Sequence, residues 1–149
     1  MRAELLDTVS ECFLTSLPLI KKKLFRSISL DNIPFQLSRS NLEVLLTLFE
    51  LRSASVSELC NQLRISRPNM TPLIDKLVRH ELAERTTSTE DRRVVRIALT
   101  ANGERLCQEL RKSLTERIRI KLGSLEDEDL LELKKCMGTL QSIASKIQE

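Results

Sequence analysis

Hydrophobic positions divide the chain into helical stretches with one short interruption of period two. Over residues 3 to 25, Leu5, Leu6, Val9, Cys12, Phe13, Leu17, Ile20 and Leu24 recur at helical spacing. Pro18 falls inside this pattern and predicts a kink or a break, because a proline removes a backbone donor and crowds the preceding turn. Ile28 to Leu37 reads as a linker. Ser38 and Ser40 are alternative helix caps, and Ser40 completes a capping box with Glu43. The apolar set Leu42, Val44, Leu45, Leu46, Leu48 and Phe49 then predicts a short helix buried on most sides.

Ser53 to Val56 reads as a turn with an edge strand. Ser55 and Glu58 form a second capping box, and Leu59, Cys60 and Leu63 give the apolar face of a short helix. Ser66 caps the next one. There Met70, Leu73, Ile74 and Leu77 form the apolar face, and Pro68, Pro72, Asp75, Lys76 and Arg79 lie opposite, flanked by Asn69 and Thr71. Leu82 to Thr87 and Val94 to Leu99 read as two strands, since Val95, Ile97 and Leu99 alternate with Arg96 and Ala98. Thr100 caps a long helix ended by Gly123 and Ser124. The last helix carries acids in its first turn, favourable against its dipole. Its seam of Leu130, Leu133, Met137, Leu140, Ala144 and Ile147 has coiled-coil spacing.

Composition narrows the function. The chain has 149 residues, 30% of them charged, with only three glycines, which suits long helices. No apolar run approaches the ~20 residues of a membrane span, and Glu4, Asp7 and Glu11 stand where a signal peptide would be basic. A cytoplasmic protein without a membrane partner is expected. The four cysteines form no Cys-x-x-Cys pair and His80 is the single histidine, so no metal site and no cofactor are predicted. No nucleophile–base pair or glycine-rich phosphate loop is visible, and an enzyme is not expected.

Three short helices, a hairpin and a further helix make a winged helix-turn-helix. The expected fold class is mainly α with a small β-hairpin wing, a winged helix-turn-helix domain plus a helical dimerisation region. Residues 1–36 are read as an N-terminal dimerisation helix and linker. Residues 37–100 are read as the DNA-binding domain, and 101–149 as C-terminal helices completing the dimer region. The candidate DNA-binding residues are Ser66, Arg67, Pro68, Asn69, Thr71 and Lys76 on the recognition helix, with Arg92 and Arg93 at the wing tip. Arginine can pair bidentately with guanine and asparagine with adenine, and a minor groove attracts arginine. Asp91 and Arg85 are candidates for organising the wing through charge-assisted hydrogen bonds.

The run Leu37-Ser38, Ser55-Val56-Ser57-Glu58-Leu59, Ser66-Arg67-Pro68-Asn69-Met70-Thr71, Asp91-Arg92-Arg93-Val94 and Leu99-Thr100-Ala101-Asn102-Gly103 resembles the MarR family of bacterial transcription regulators. The resemblance implies a homodimer on a pseudo-palindromic double-stranded DNA operator, commonly a repressor released by a small-molecule effector or by oxidation. It implies that Arg93 is the minor-groove arginine of the wing and Asp91 its organising acid. Two positions depart from the family. Glu81 replaces a frequent glycine after the recognition helix, so a different local turn is expected. Pro72 replaces a frequent arginine, which removes a DNA contact; as an interior proline it also predicts an irregular helix start or one nearer Asn69. Cys12 is the candidate redox residue, placed near the peroxide-sensing cysteine of some relatives. The chain has no tyrosine to polarise it, and its apolar face favours a core role. The alternative function is a winged-helix protein-interaction module, since Asp75, Glu81, Glu84 and Glu90 dilute the basic face.

Overall fold

The computed structural model describes residues 1–25, 34–87 and 95–147. In chain order the elements are α1 (Arg2–Phe25), a single 3-10 turn (Pro34–Gln36), α2 (Arg39–Leu51), β1 (Ser53–Ser55), α3 (Val56–Leu63), α4 (Arg67–Arg79), β2 (Ala83–Thr87), β3 (Val95–Leu99), α5 (Ala101–Leu122) and α6 (Asp127–Ala144). The fold is mainly α with a small antiparallel sheet, as the hydrophobic pattern predicts. The chain forms two compact units, Ser29–Ser113 and Met1–Ile28 with Leu114–Glu149.

The first of these units holds a continuous core. Val44, Leu45, Leu48, Leu59, Met70, Leu77 and Ile97 are fully buried, with Ile74, Leu82 and Ala83 nearly so. The start of α2 shows why the chain folds this way locally. Ser38, and not Ser40, is its cap. The Asn41 N–H donates to Ser38 Oγ (3.2 Å), and Asn41 Oδ1 accepts from Ser38 N–H (3.1 Å) and Ser38 Oγ (2.8 Å). A start at Ser38 places Leu37 just before the cap and Leu42 four residues after it. Both are buried in the core, so the hydrophobic staple forms. A start at Ser40 would put Arg39 in the staple position. Glu43 instead pairs with Arg39 at 3.2 Å along the helix surface.

The Ser55–Glu58 capping box forms as predicted, with Ser55 N–H donating to Glu58 Oε2 at 2.6 Å. The Ser55 backbone and hydroxyl bonds, and more weakly the charge of Arg96, hold the Glu58 carboxyl below the ordinary carboxylate pKa. Arg96 also donates from Nε and Nη2 to the Ser53 hydroxyl (3.0 Å) and carbonyl (2.8 Å). It thereby joins β3 to β1 and α3.

The sheet has the order β1-β3-β2, with Ala54 opposite Ile97 and Arg85 opposite Ile97 on the other side. Ile97 is the buried member of the β3 alternation, while Val95, at the wing end, is half exposed. The start of α5 closes this unit. Thr100 Oγ donates to the Glu81 carbonyl (2.5 Å) and accepts from Gly103 N–H (3.1 Å), and Thr100 N–H donates to the Leu82 carbonyl (3.1 Å). Leu106 and Cys107 then enter the core. Burial, and secondarily the charge of Glu104, push the Cys107 thiol up to about 11.

The other unit comprises α1, α6 and the second half of α5. α1 is one helix through Pro18, without the predicted break; the proline withholds a single donor, from the Leu14 carbonyl. Lys121 Nζ donates to the Lys23 carbonyl at 2.9 Å, joining α5 to α1. None of the described side chains on α1 or α6 is buried. Leu5, Val9, Phe13 and Leu17 of α1, and Leu133, Met137 and Leu140 of α6, are all exposed. Among the described residues no helix is long and apolar enough to cross a membrane.

Candidate nucleic-acid interface

α3 and α4 form the helix-turn-helix. Arg64 ends α3 in the left-handed region (φ 52°). Its N–H donates to the Asn61 carbonyl (3.4 Å) and Ile65 N–H to the Cys60 carbonyl (3.1 Å), closing the turn. Ser66 then caps α4 in extended conformation, but its hydroxyl makes no capping bond. The cap is carried by the backbone: Asn69 and Met70 N–H both donate to the Ser66 carbonyl.

The helix runs regularly from Arg67, so the irregular start expected from Pro72 is not found. Pro72 deprives only the Pro68 carbonyl of its donor. That carbonyl sits on the exposed side of the helix, where water can replace the bond.

Met70, Ile74 and Leu77 anchor α4 in the core. Ser66, Arg67, Pro68, Asn69 and Thr71 are all exposed on its first turns. The Thr71 hydroxyl donates back to the Arg67 carbonyl at 3.1 Å, so it presents an acceptor and a methyl group outward. Lys76 is placed differently. It is half-buried, and its Nζ donates to the Gln36 carbonyl at 2.6 Å. Arg92, Arg93 and Asp91 lie outside the described residues. Arg85 of β2 pairs with Asp75 of α4 at 2.5 Å.

Two residues that position this surface are not among those singled out from the sequence. Asp75 reads there as a diluting acid, yet it fastens α4 to the first wing strand. Asn41 is nine-tenths or more buried and its Nδ2 donates to the Leu73 carbonyl at 3.2 Å, tying α2 to the middle of α4. A polar residue three after a capping serine, in an otherwise apolar helix, was the available signal for Asn41. Nothing local marks Asp75, because its partner is ten residues away in another element.

The α4 ending is the second departure resolved. Glu81 adopts φ 57°, its N–H donates to the Val78 carbonyl (3.0 Å) and Leu82 N–H donates to the Leu77 carbonyl (2.9 Å). This is the turn a glycine would make, so the different local turn expected from Glu81 does not occur. Burial of Leu82 and the two Thr100 bonds hold it in place. Cys12 is exposed on α1, and Cys136 on α6. Among the described residues no group of side chains is arranged to hold a metal ion.

The MarR family profile matches residues 37–95. The chain is 36% identical over 94 residues to the uncharacterized HTH-type transcriptional regulator YsmB of Bacillus subtilis, covering 63% of this chain and 64% of YsmB. It thus spans a little under two thirds of that relative. It is 33% identical over 105 residues to the uncharacterized HTH-type transcriptional regulator YpoP of the same organism, covering 70% of this chain and 74% of YpoP. A MarR family protein from Bacillus stearothermophilus shares the fold with a TM-score of 0.68 at 24% identity, covering 97% of this chain and 96% of that one. A mutant of Escherichia coli MarR complexed with operator DNA gives 0.52 at 19% identity, over 72% of this chain and 77% of that one. The matched segment contains the helix-turn-helix and β2, and reaches the first residue of β3: the chain belongs to the MarR family.

Proposed function

We propose that the protein is a sequence-specific double-stranded DNA-binding transcription regulator, a homodimeric repressor of a pseudo-palindromic operator that a small ligand releases. The observation that carries this reading is the exposed first turns of α4. Arg67 and Asn69 offer donors suited to guanine and adenine edges, on a helix whose other face is fixed in the core. Family membership supports the same reading, as does the operator complex of the Escherichia coli relative. The wing arginines Arg92 and Arg93, organised by Asp91, complete the proposed contacts. Arg85, committed to Asp75, supports the wing from its base.

Dimerisation is favoured by the apolar stripes on α1 and α6. Each large apolar side chain taken from water contributes about 1.5–3 kcal/mol, and this unit leaves many of them exposed. A second copy covering both helices would set two recognition helices at a fixed spacing, as a palindromic site requires.

The test is a polarisation titration against the DNA upstream of the protein's own gene, with salt varied and random DNA as reference. Tight, salt-sensitive binding to a palindromic segment is expected. Binding no tighter than to random DNA would favour a protein-interaction module. Light scattering checks the dimer, and a monomer at micromolar concentration overturns that part of the reading.

A further inference from the structure

The stretch immediately before α2 has a conformation that the sequence does not favour. Phe35 (φ 65°) and Gln36 (φ 49°) are consecutive non-glycine residues in the left-handed region. Such residues persist where surrounding contacts over-determine them. Here the contacts come from the recognition helix. Lys76 Nζ donates to the Gln36 carbonyl at 2.6 Å, and the Phe35 ring stacks on His80, with centroids 4.8 Å apart and planes at 30°. Leu37, the next residue, is anchored in the core.

We propose that Pro34–Gln36 is a strap that sets the position of the recognition helix, with Lys76 and His80 as positioning residues that serve operator binding without touching DNA. The proposal rests on the DNA-binding reading above. Helical geometry, at 3.6 residues per turn, puts Lys76 and Asp75 on opposite flanks of the outward face of α4. Asp75 is held by Arg85 of β2, and Lys76 by the strap. The recognition helix is therefore fastened on both flanks, with Pro68, Pro72 and Arg79 between them. A lysine on the outward face of such a helix would ordinarily be read as a phosphate contact. This one is half-buried, and to reach a phosphate it would have to abandon its carbonyl partner and release the strap.

Salt dependence separates the two roles. Removing a phosphate contact lowers the slope of log K against log salt by about one. Removing a positioning bond weakens binding at every salt concentration and leaves the slope unchanged. The experiment titrates the full-length protein with its operator across a salt series, using Lys76→Met, Lys76→Arg, Phe35→Ala and the Lys76→Met/Phe35→Ala double variant.

Lys76→Met and Phe35→Ala are each expected to weaken binding about five- to tenfold, the scale of one lost hydrogen bond, at unchanged slope. The double variant should lose less than the product of the two, because both act on one strap. Lys76→Arg, which keeps a donor, should restore most of the affinity. A slope lowered by one in Lys76→Met, or unchanged binding in Phe35→Ala, overturns the proposal.

Amide exchange over residues 76–82 gives a readout independent of DNA. Faster exchange in Phe35→Ala than in the wild type is expected, and equal rates overturn the strap. If the wild type binds no DNA specifically, the functional reading fails, while this second measurement still decides whether the strap holds the helix.

Discussion

Gly103 is the position where the structure makes its sharpest demand on the sequence. The perturbation to test it is Gly103→Ala. A Cβ built there would lie 2.0 Å from the Leu82 carbonyl oxygen and 2.9 Å from its carbon. Contacts of that kind need over 3 Å, so the first turn of α5 and the turn after α4 must separate by more than 1 Å. The obstacle is backbone, and no rotamer change relieves it. The same Leu82 carbonyl accepts from Thr100 N–H at 3.1 Å, and Thr100 Oγ bonds both Glu81 and Gly103. Separation therefore strains or breaks this cluster. Each lost bond costs about 1 kcal/mol, and overpacking of a rigid site costs about 1–3 kcal/mol. Alanine returns up to about 1 kcal/mol of helix propensity. The net expectation is a destabilisation of about 2–4 kcal/mol, measured as a lower urea midpoint. Operator affinity at low temperature, where the variant is folded, should fall as well, because Glu81 and Leu82 close the recognition helix. A Gly103→Ala protein as stable as the wild type would show that the α4 ending and the α5 start are not in the contact described.

The other expectations are briefer. Glu81→Gly should raise stability by about 1 kcal/mol, since the left-handed φ of 57° is retained without a Cβ; a lower urea midpoint would contradict the turn. Asn41→Ala should cost about 1–3 kcal/mol by removing the cap partner of Ser38 and the bond to Leu73. Asn41→Asp should cost more, because it sets a buried charge against a carbonyl, and equal urea midpoints for the two would argue against that bond. Asp75→Ala should change thermal stability by under about 1 kcal/mol, as its pair with Arg85 is half exposed, yet weaken operator binding by freeing the wing strand from α4; undiminished affinity would remove Asp75 from the interface. The Cys107 pKa is raised on folding from 9.0 to about 11, so the neutral thiol favours the native state fully below pH 9. That contribution fades as pH rises towards 11, at about 1.4 kcal/mol per unit, and Cys107→Ala should flatten the alkaline limb of a stability–pH curve.

The readable parts of this fold are those where local chemistry and tertiary packing agree. Periodicity placed α3 and α4 because each buries residues of the face that its spacing predicts, with Met70, Ile74 and Leu77 the plainest case; in β3 only Ile97 of the predicted apolar face is fully buried, and Val95 at the wing end is not. The Ser55–Glu58 box was legible because both partners lie within four residues. The α2 cap was not, since Ser38 and Ser40 are locally equivalent and the choice falls to whether Leu37 or Arg39 enters the core. Glu81 misled for a related reason. Its intrinsic preference opposes the left-handed turn, but three backbone and side-chain bonds from Thr100 and Leu82 outweigh about 1 kcal/mol of local strain. The partners of Lys76 and Asp75 could not be read at all, because they are 40 and 10 residues distant.

These hidden contacts change how the charges of the recognition helix should be read. By sequence, Asp75, Lys76 and Arg79 form a mixed outward face whose acid dilutes its bases. In the structure Asp75 is paired with Arg85 and Lys76 with a backbone carbonyl: the acid is compensated by its partner, while the lysine keeps its charge but is fixed in place. Both belong to the mounting of the helix. The exposed cations of α4 are Arg67 on its first turn and Arg79 on its last, with the neutral Ser66, Asn69 and Thr71 beside Arg67. Exposed hydrogen-bonding groups are concentrated at its N-terminal end. On the proposed DNA-binding reading, base contacts would come from the start of α4, while the contacts of Asp75 and Lys76 would position the helix. Asp75, which from sequence dilutes the basic face, is in the structure the link between α4 and β2.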